Sequence, residues 1–372
     1  MPVRPLRLTP AIRASCLCFL LFSLFTAHGQ ELRPAKIRHV LVLPIIARSI
    51  ETGWSFGLAG SSTFHLKLHD RDSATRTSNL QAVGLYTTRG QFVLAINGSI
   101  YFPGERFILN QQLSYSSFPD KFWGLGKSTA DSIREDYKFK QYYVYLHPQR
   151  RMGNNLFLGI VYEYQRVFDM EYDAGGIFDK QNVAGRKDYE VSGLGFSFTY
   201  DSRNNAFYPD RGMMLQFYFD HYTGLLGSDY QYTKFILDLR KFITLRHQQQ
   251  ILALQLYGLF NAGEVPLRSL AALGGANGMR GYYEGRFRDK NLLTLQAEYR
   301  LHLGGRFGAV AFGDMGNVGG HMSDLNFQCL KYSYGGGLRI ALDKTERLNL
   351  RLDYGISGGS SHGFYLQLGE AF

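Results

Sequence analysis

The feature that most constrains this chain is a regular alternation of apolar and polar residues, repeated in long segments along almost the whole sequence. In the segment 292–303, LLTLQAEYRLHL, every second residue from Leu293 to Leu303 is apolar, and the residues between them are polar or charged. The segment 347–355, RLNLRLDYG, repeats this order. A period of two residues is typical of a β-strand with one apolar and one polar face. The sequence therefore predicts an all-β protein.

Alternation alone fits two kinds of sheet. In a soluble β-sandwich the apolar face forms the core, whereas in an outer-membrane barrel it faces lipid and the polar face lines the lumen. Three features favour the barrel. The strands are as long as the roughly 9–11 residues of a tilted spanning strand, Tyr and Phe concentrate near strand ends, and inward faces carry charges such as Arg351 and Asp353. We therefore expect a transmembrane antiparallel β-barrel.

Sixteen segments carry the pattern, and bacterial single-chain barrels have even strand numbers. Counts of about fourteen or eighteen also fit, because strand boundaries read from a pattern shift by a few residues. The expected strands are 39–48, 52–66, 77–88, 90–102, 105–118, 135–147, 154–167, 189–201, 212–223, 229–246, 250–262, 292–304, 306–317, 331–342, 347–357 and 363–372.

The first 29 residues are predicted to be a secretory signal peptide. Three arginines precede an apolar run, ASCLCFLLFSLFTA, which ends in small residues before Gln30. The run is too short for a membrane-spanning helix. We expect residues 30–38 to form a short N-terminal segment and residues 39–372 to form the barrel. Export together with a barrel predicts an integral protein of the outer membrane of a Gram-negative bacterium, surrounded by its lipids.

Charge and cysteine content exclude other classes. The formal net charge is +10, but the basic residues are spread along the chain, without the cluster that follows nucleic acid. We therefore expect no nucleic-acid partner. After removal of the signal peptide one cysteine remains, Cys329, which excludes a domain held together by disulfides.

The segment 361–372, SHGFYLQLGEAF, is predicted to be a C-terminal assembly signal. Gly363, Leu366 and Leu368 fit the order polar-x-Gly-x-x-apolar-x-apolar by which barrels are recognised for outer-membrane assembly. The alternative is an ordinary amphipathic strand. The aromatic Phe372 favours the signal.

One long connection differs from the rest: LGGANGMRGYYEGRFRDKN, residues 273–291. Its guanidinium at Arg280 is always charged and presents a planar fork that a carboxylate can bind with two hydrogen bonds. Away from water Arg280 needs such a partner, because an unpaired buried charge is costly. Alternation points Glu298 and Asp353 inward, so both are candidates. Gly281 permits a tight turn, and Tyr282 is suited to hold the loop against the wall.

Four motifs, in the correct order, resemble the BamA/TamA-type barrels of the bacterial surface antigen family. MRGY (279–282) resembles the [V/M]-R-G-[F/Y] loop signature, and FGDMG (312–316) resembles F-x-D-x-G. DSRNNAFYPDRG (201–212) resembles D-x-R-x-x-x-x-[F/Y]-P-x-x-G. RLDYG and the final GEAF resemble the usual C-terminal sequence of the family. The resemblance covers nearly all of the chain after the signal peptide.

The resemblance implies a long sixth extracellular loop folded into the lumen, with its arginine held by acidic residues of the inner wall. By match to the family, Asp314 is the first expected partner of Arg280, with Asp353 and Glu298 second. The loop either braces a plug that keeps the barrel shut or takes part in a moving lateral gate.

The resemblance also implies a function. Such barrels insert other barrels into the outer membrane or move polypeptides across it, through a weak seam between the first and last strands. Pro44 lacks an N–H group and suits a strand edge, so it favours such a seam, although it also fits a bulge. Typical members carry N-terminal POTRA domains, which are not expected here, so we anticipate a barrel-only member that works on unfolded outer-membrane proteins with a separate periplasmic or outer-membrane partner. The alternatives are a plugged porin-like or structural barrel and a lipid-handling barrel.

Catalytic and metal-binding patterns are weak. GISGG (355–359) matches G-x-S-x-G, but a nucleophile elbow needs a strand–turn–helix context and this segment enters a hairpin. The histidines are scattered without the spacing of a metal site. We expect no enzyme, cofactor or metal.

Overall fold

The computed structural model describes residues 36–66, 75, 78–246, 250–343, 347–359 and 361–372. The predicted signal peptide lies outside the described residues. Those residues form eighteen β-strands. The strands are β1 Lys36–Ser49, β2 Gly53–His65, β3 Ser78–Thr87, β4 Phe92–Tyr101, β5 Phe107–Phe122, β6 Glu135–Gly153, β7 Leu156–Glu171, β8 Tyr189–Asp201, β9 Gly212–Tyr222, β10 Tyr232–Arg246, β11 Gln250–Gly263, β12 Ala271–Leu273, β13 Phe287–Asp289, β14 Asn291–Gly304, β15 Phe307–Gly319, β16 Lys331–Asp343, β17 Leu348–Ser357 and β18 His362–Leu368.

Sixteen of these strands form one closed antiparallel barrel, in which each strand pairs with its neighbours along the chain and β1 meets β18. The predicted barrel class and strand number are confirmed. The remaining two strands, β12 and β13, form a small separate hairpin that the sequence pattern did not predict. This hairpin belongs to the connection between β11 and β14.

The alternation of the sequence becomes the two faces of the barrel wall. On β14 the polar Gln296, Glu298 and Arg300 are buried, whereas Leu295 and Tyr299 are exposed. Because a strand turns successive side chains to opposite faces, the apolar residues form an outward belt and the polar residues line the interior.

The two ends of the barrel differ in the length of their connections. The turns after β6 and β14 are short, whereas the connections after β5, β7, β11 and β15 are long. Short turns face the periplasm in outer-membrane barrels, which places the long connections on the extracellular side. None of the helices in the described ranges has the length and apolar character needed to cross a membrane. Helical turns occur at Pro103–Glu105, Ile177–Lys180, Gly224–Leu226, Leu267–Ser269 and Met322–Asp324.

The core lies inside the barrel and is largest in its extracellular half. There the rings of Phe122 and Phe178 stack with centroids 4.5 Å apart, and Tyr137 meets Phe178 edge to face at 5.2 Å. Leu267, which precedes the hairpin β12–β13, belongs to the same buried cluster. The long connections therefore fold back over the interior and pack against the wall.

The seam between β1 and β18 is the weakest part of the barrel. Among the described residues these two strands share one register pair, Arg48↔Leu366. By contrast, β17 and β18 share seven pairs and β1 and β2 share thirteen. Pro44 lies on β1, where it pairs with Leu58 of β2.

The predicted end of the last strand was wrong. The expected strand 363–372 ends at Leu368. Gly369 has a φ of +83°, a left-handed conformation that suits glycine, and turns the chain inward. Phe372 is consequently buried against Phe242 and does not extend the outward face of β18.

Candidate functional site

The connection between β11 and β14, residues 264–290, forms the centre of the site, and we call it the inner loop. The hairpin β12–β13 forms its base, and residues 274–286 form its tip. Hydrogen bonds from the tip reach Asp353 on β17, Tyr365 on β18 and Asp120 on β5. β17 and β18 are neighbours, whereas β5 lies five strands from β18 around the closed barrel, so the tip spans part of the interior.

Arg280 at the tip is fully buried and surrounded by carboxylates. Its Nη1 lies 2.7 Å from Glu298 Oε1 and 2.8 Å from Asp353 Oδ2. Both carboxylate side chains are also fully buried. Its Cζ lies 3.5 Å from the centre of the Phe312 ring, which adds a cation–π contact. The structure thus brings together the arginine and the two carboxylates that alternation points inward.

Asp314 is the more distant of the three acidic residues. Its Oδ1 lies 3.9 Å from Arg280 Nη2, and its Oδ2 accepts a hydrogen bond from Ser333 at 3.2 Å. The expected order of partners, with Asp314 first, is therefore reversed in the observed distances. Phe312 of the same FGDMG motif makes the closer contact with the guanidinium.

Two glycines let the loop backbone approach the wall. Gly281 has a φ of +102°, and a Cβ there would lie 2.9 Å from the backbone of Ile356 and Ser357. A Cβ on Gly355 of β17 would lie 2.7 Å from the carbonyl carbon of Arg280. Glycine is therefore required at both positions, because a side chain at either would separate the loop from β17.

A second layer of arginines extends the ion pairs toward the periplasmic end. Arg300 donates to Glu298 at 2.8 Å, and Arg339 donates to Asp353 and, at 2.7 Å, to Glu370. Arg300 Nη2 also donates to the backbone oxygen of Phe372 at 3.3 Å. The two carboxylates that hold Arg280 therefore also hold the arginines that bind residues 370–372. The loop and this end segment share one network.

Charges in this network are balanced. Arg351 Nη2 donates to the side-chain oxygen of Asn277 in the inner loop at 2.9 Å, and its Nε lies 3.7 Å from Asp353. The cluster then has four arginines and four carboxylates, which offsets the cost of removing these charges from water. Its members are Arg280, Arg300, Arg339, Arg351, Glu298, Asp314, Asp353 and Glu370.

Tyr282 belongs to a buried cluster that includes Leu292 of β14 and Val318 of β15 in the wall. Its side chain is buried and its ring meets Phe287 edge to face at 5.8 Å. Met279, which is also buried, joins the same cluster with Leu292 and Val318. The residues on both sides of Arg280 and Gly281 therefore anchor the tip by apolar contact.

The tip also touches both sides of the seam. The N–H of Gly281 donates to the Tyr365 hydroxyl on β18 at 2.9 Å. The N–H of Glu284 donates to Glu51 Oε1, in the β1–β2 turn, at 2.9 Å. Burial raises the pKa of Glu51, against hydrogen bonds from Ser49 and Glu284 that lower it. The inner loop thus connects the two strands that hardly pair with one another.

Further contacts hold the extracellular part of the loop. The Tyr283 hydroxyl donates to Asp120 at 2.9 Å, and its ring meets Trp123 edge to face at 5.2 Å. Arg286 Nε donates to Asp131 at 2.7 Å and its Nη2 donates to the Thr129 carbonyl. The connection after β5 therefore lies on top of the inner loop.

The residues of the predicted assembly signal are divided between the two faces of β18. Leu368 is exposed on the outer face, and Leu366 is the partner of Arg48 at the seam. Gly363 is buried, and a Cβ there would lie 2.8 Å from the Tyr365 hydroxyl. Phe372 lies inside the barrel. Whether these residues act as a signal stays a prediction.

The motif DSRNNAFYPDRG forms the periplasmic turn between β8 and β9. Arg203 binds Asp201 with two hydrogen bonds of 2.9 Å, and Arg347 Nη1 lies 2.9 Å from Asp210. The ring of Tyr208 lies 5.6 Å from the Arg300 guanidinium. This turn therefore adjoins the periplasmic side of the ion network.

Sequence reasoning missed Arg339, Glu370, Tyr365 and Glu51. Arg300 lies two residues after Glu298 on the same inward face, so alternation could have added it to the site. The other contacts depend on the path of Gly369 and of the loop tip, for which the sequence pattern holds no signal. Across the described ranges, no group of three or more His, Cys, Asp or Glu side chains is placed to hold a metal ion.

Comparisons with known proteins agree with this architecture. The sequence model of the Omp85 superfamily domain matches residues 56–372. No curated protein matches the chain. Similar solved structures include BamA from Haemophilus ducreyi lacking POTRA domains 1-3, with 12% identity and a TM-score of 0.59 over 95% of this chain and 78% of that chain. CdiB from Acinetobacter baumannii has 12% identity and a TM-score of 0.61 over 91% of this chain and 60% of that chain. CdiB from Escherichia coli has 12% identity and a TM-score of 0.59 over 91% of this chain and 68% of that chain.

At 12% identity these structures show a shared fold and nothing finer. The family match covers most of the chain and includes all four motifs from which the resemblance was inferred. That resemblance is confirmed. The chain belongs to the Omp85 superfamily and is an integral β-barrel of the Gram-negative outer membrane.

Proposed function

We propose that this barrel assists the insertion of polypeptides into the outer membrane, or their passage across it, through the seam between β1 and β18. The observation that carries the proposal is the single register pair Arg48↔Leu366 at that seam. A strand edge in lipid leaves backbone N–H and C=O groups without partners, which costs several kcal/mol for each group. An incoming strand that pairs with the free edge of β1 removes this cost.

The inner loop supports the seam from inside. Gly281 and Glu284 donate to Tyr365 and Glu51, one on each side of the seam, while Arg280 fixes the loop to the neighbouring wall. Release of the first two contacts frees the seam without unfolding the wall. The loop in this proposal is both a brace and the element whose displacement permits opening.

The proposed activity needs no covalent chemistry. Unfolded outer-membrane polypeptides are the proposed clients, and a separate periplasmic or outer-membrane subunit is the proposed partner that delivers them. The barrel supplies a strand edge and a locally weakened wall, and it acts without a cofactor.

The experiment that tests this proposal measures client folding in liposomes. An unfolded outer-membrane barrel is added to liposomes with and without this protein, and its folding is followed by the heat-modifiable shift on gels. A variant with Arg48→Cys, Leu366→Cys and Cys329→Ser is tested oxidised and reduced. We expect faster client folding with the unmodified protein, loss of that acceleration when the disulfide closes, and recovery on reduction.

A second cysteine pair provides the matched control. Ile46→Cys with Phe56→Cys joins register partners on β1 and β2, which are already paired along their length. That disulfide should leave the acceleration unchanged. Equal client folding with and without the protein would contradict autonomous insertion and favour a plugged structural barrel. Acceleration that survives the Arg48–Leu366 disulfide would place the activity away from the seam.

A further inference from the structure

The connection between β5 and β6, residues 123–134, lies on the extracellular side of the inner loop, and we call it the outer loop. The N–H of Leu125 donates to Gln181 Oε1 in the connection after β7 at 2.8 Å. Lys127 Nζ donates to the carbonyl oxygen of Asp324 in the connection after β15 at 2.7 Å. Because β7 and β15 lie six strands apart around the closed barrel, the outer loop links distant parts of its extracellular end.

The backbone of the outer loop pairs with the base of the inner loop. The N–H of Gly126 donates to the carbonyl oxygen of Arg288 on β13 at 2.9 Å, and Leu125 forms a second bridge to the same residue. Arg288 also pairs with Ala272 of β12. The outer loop therefore extends the small sheet formed by β12 and β13.

Arg286, the last residue of the tip, makes the strongest contacts with the outer loop. Its Nε donates to Asp131 at 2.7 Å, and its Nη1 and Nη2 donate to the hydroxyl and the carbonyl oxygen of Thr129, each at 2.7 Å. Its Cζ lies 5.4 Å from the centre of the Trp123 ring. All three nitrogens of this buried guanidinium are therefore bound by the outer loop, and hydrogen bonds from a charged donor are stronger than neutral ones.

The residues that the outer loop binds enclose the residue that reaches the seam. The N–H of Arg286 donates to the carbonyl oxygen of Tyr283 at 2.9 Å, which closes a four-residue turn with Glu284 and Gly285 at its centre. The φ of Gly285 is +78°, as the third position of such a turn requires. Tyr283 packs on Trp123 and Arg286 binds Asp131 and Thr129, so the outer loop holds both ends of the turn whose Glu284 N–H binds Glu51.

The contact with the outer loop differs from the buried anchor at Arg280. The side chain of Asp131 is 81% exposed, whereas both carboxylates beside Arg280 are fully buried. An ion pair with an exposed partner is weaker and is screened by salt. The outer loop can therefore be released from the extracellular side while the buried cluster stays intact.

We propose that the outer loop keeps the inner loop docked at the seam, with Arg286 as the positioning residue, and that its release lets Glu284 leave Glu51. β5 and β6 share sixteen register pairs, and the outer loop continues directly from both strands. It thus supports the turn from a part of the wall that does not move with the seam. The inference rests on the proposed opening between β1 and β18, whose extracellular control it supplies.

The closure of the seam is the quantity that tests this inference. The parent protein carries Arg48→Cys, Leu366→Cys and Cys329→Ser, and its ratio of disulfide to free thiols is measured in a glutathione buffer. Adding Arg286→Ala removes the hydrogen bonds to the outer loop, and we expect the ratio to fall about tenfold. Asp131→Asn, a change at an exposed side chain, should lower it by less. Added salt should lower the ratio more in the parent than in Arg286→Ala, because screening acts on the ion pair that this variant lacks.

Lys140→Ala is the matched control. The ion pair of Lys140 with Asp169 joins β6 to β7 at the same end of the barrel, and its loss should leave the ratio unchanged. A fall for Arg286→Ala no larger than for Lys140→Ala would overturn the inference. An equal fall for the Ile46→Cys, Phe56→Cys disulfide between β1 and β2 would also overturn it, because the whole barrel would then have loosened. The heat-modifiable gel shift verifies that each variant is folded.

Client folding in liposomes separates this inference from the proposed function. If Arg286→Ala loosens the seam but neither protein accelerates client folding, the outer loop controls the seam and the insertion proposal fails. If the unmodified protein accelerates client folding and Arg286→Ala leaves the seam ratio unchanged, insertion stands and the role of the outer loop is refuted.

Discussion

The inner loop is held by one part of the barrel wall, and the seam lies beside that part. The wall and the seam are stabilised in different ways. Within the wall formed by β14, β15, β16 and β17, adjacent strands share ten to thirteen register pairs. At the seam, β1 and β18 share one pair among the described residues. The wall also carries the balanced cluster of arginines and carboxylates, whereas the seam is bridged by single hydrogen bonds to the inner loop.

This difference separates the stability of the barrel from the closure of its seam. A ladder of backbone hydrogen bonds together with buried ion pairs resists opening, because each broken pair leaves groups without partners. The seam has little of either. We infer that its closure depends on the docked loop, and that the rigid wall exists to keep the loop in place.

The largest expected effect is loss of the loop anchor. Arg280→Ala leaves Glu298 and Asp353 with fewer positive partners in a fully buried site, and we expect a loss of about 3 kcal/mol in the free energy of unfolding. Urea unfolding in vesicles measures it. Arg306→Ala is the control, because Arg306 lies in an exposed turn and its side chain donates, among the described residues, to the carbonyls of Ala341 and Leu342. A loss for Arg280→Ala as small as that of the control would mean that the wall does not depend on the loop.

The next effect tests whether residues 370–372 belong to the same wall. Glu370→Gln replaces a charged acceptor of Arg339 with a neutral one, and we expect a loss of about 2 kcal/mol. Combined with Arg280→Ala, the two losses should depart from additivity by about 1 kcal/mol, because Arg339 and Asp353 link both sites. The same unfolding measurement in a double-mutant cycle gives this coupling. Strict additivity would show that the loop anchor and the end segment are independent.

The sequence predicted the barrel well because one rule governs every strand. Alternation in the segments 292–303 and 347–355 identifies inward residues without knowledge of any contact. The same rule placed Glu298 and Asp353 on the inner face, which made both of them candidate partners of Arg280. Their proposed role in holding the loop stays a prediction that the Arg280→Ala measurement addresses.

Other parts of the site escaped prediction for physical reasons. The distance that separates Asp314 from Arg280 is set by the path of the loop tip, which no period describes. The last strand was predicted to continue as far as Phe372, but the chain turns inward at Gly369, where Arg339 binds Glu370. Long-range contacts decided both outcomes.

A smaller effect probes the seam alone. Tyr365→Phe removes the hydroxyl that accepts from the buried N–H of Gly281, and the expected loss is about 1 kcal/mol. The wall keeps all of its ion pairs, so the loss should be accompanied by easier opening at the seam. The reversibility of the Arg48→Cys, Leu366→Cys disulfide in a redox buffer reports that opening, with Tyr354→Phe, an outward tyrosine of β17, as control. Equal behaviour of the two variants would show that the loop does not close the seam.

The smallest expected effect is a dependence of loop docking on pH. Burial raises the pKa of Glu51 above its usual value of 4.5, and the like charge of Glu284 adds to the rise. The folded state therefore binds this proton more tightly than the unfolded state, so the contribution of Glu51 to stability is fully present below pH 4.5 and is lost as pH rises through the raised pKa. Glu51→Gln cannot ionise, so it serves as the reference protein; Glu51 lines a cavity of 610 Å³ together with Arg89 and Lys121. Relative to Glu51→Gln, the free energy of unfolding of the unmodified protein should fall as the pH rises from 4.5 to above the raised pKa of Glu51, and it should then level off. A relative stability that rises with pH would instead mean that the Glu284 N–H holds the ionised carboxylate strongly enough to outweigh burial, and that the loop closes the seam more firmly at neutral pH than at acid pH.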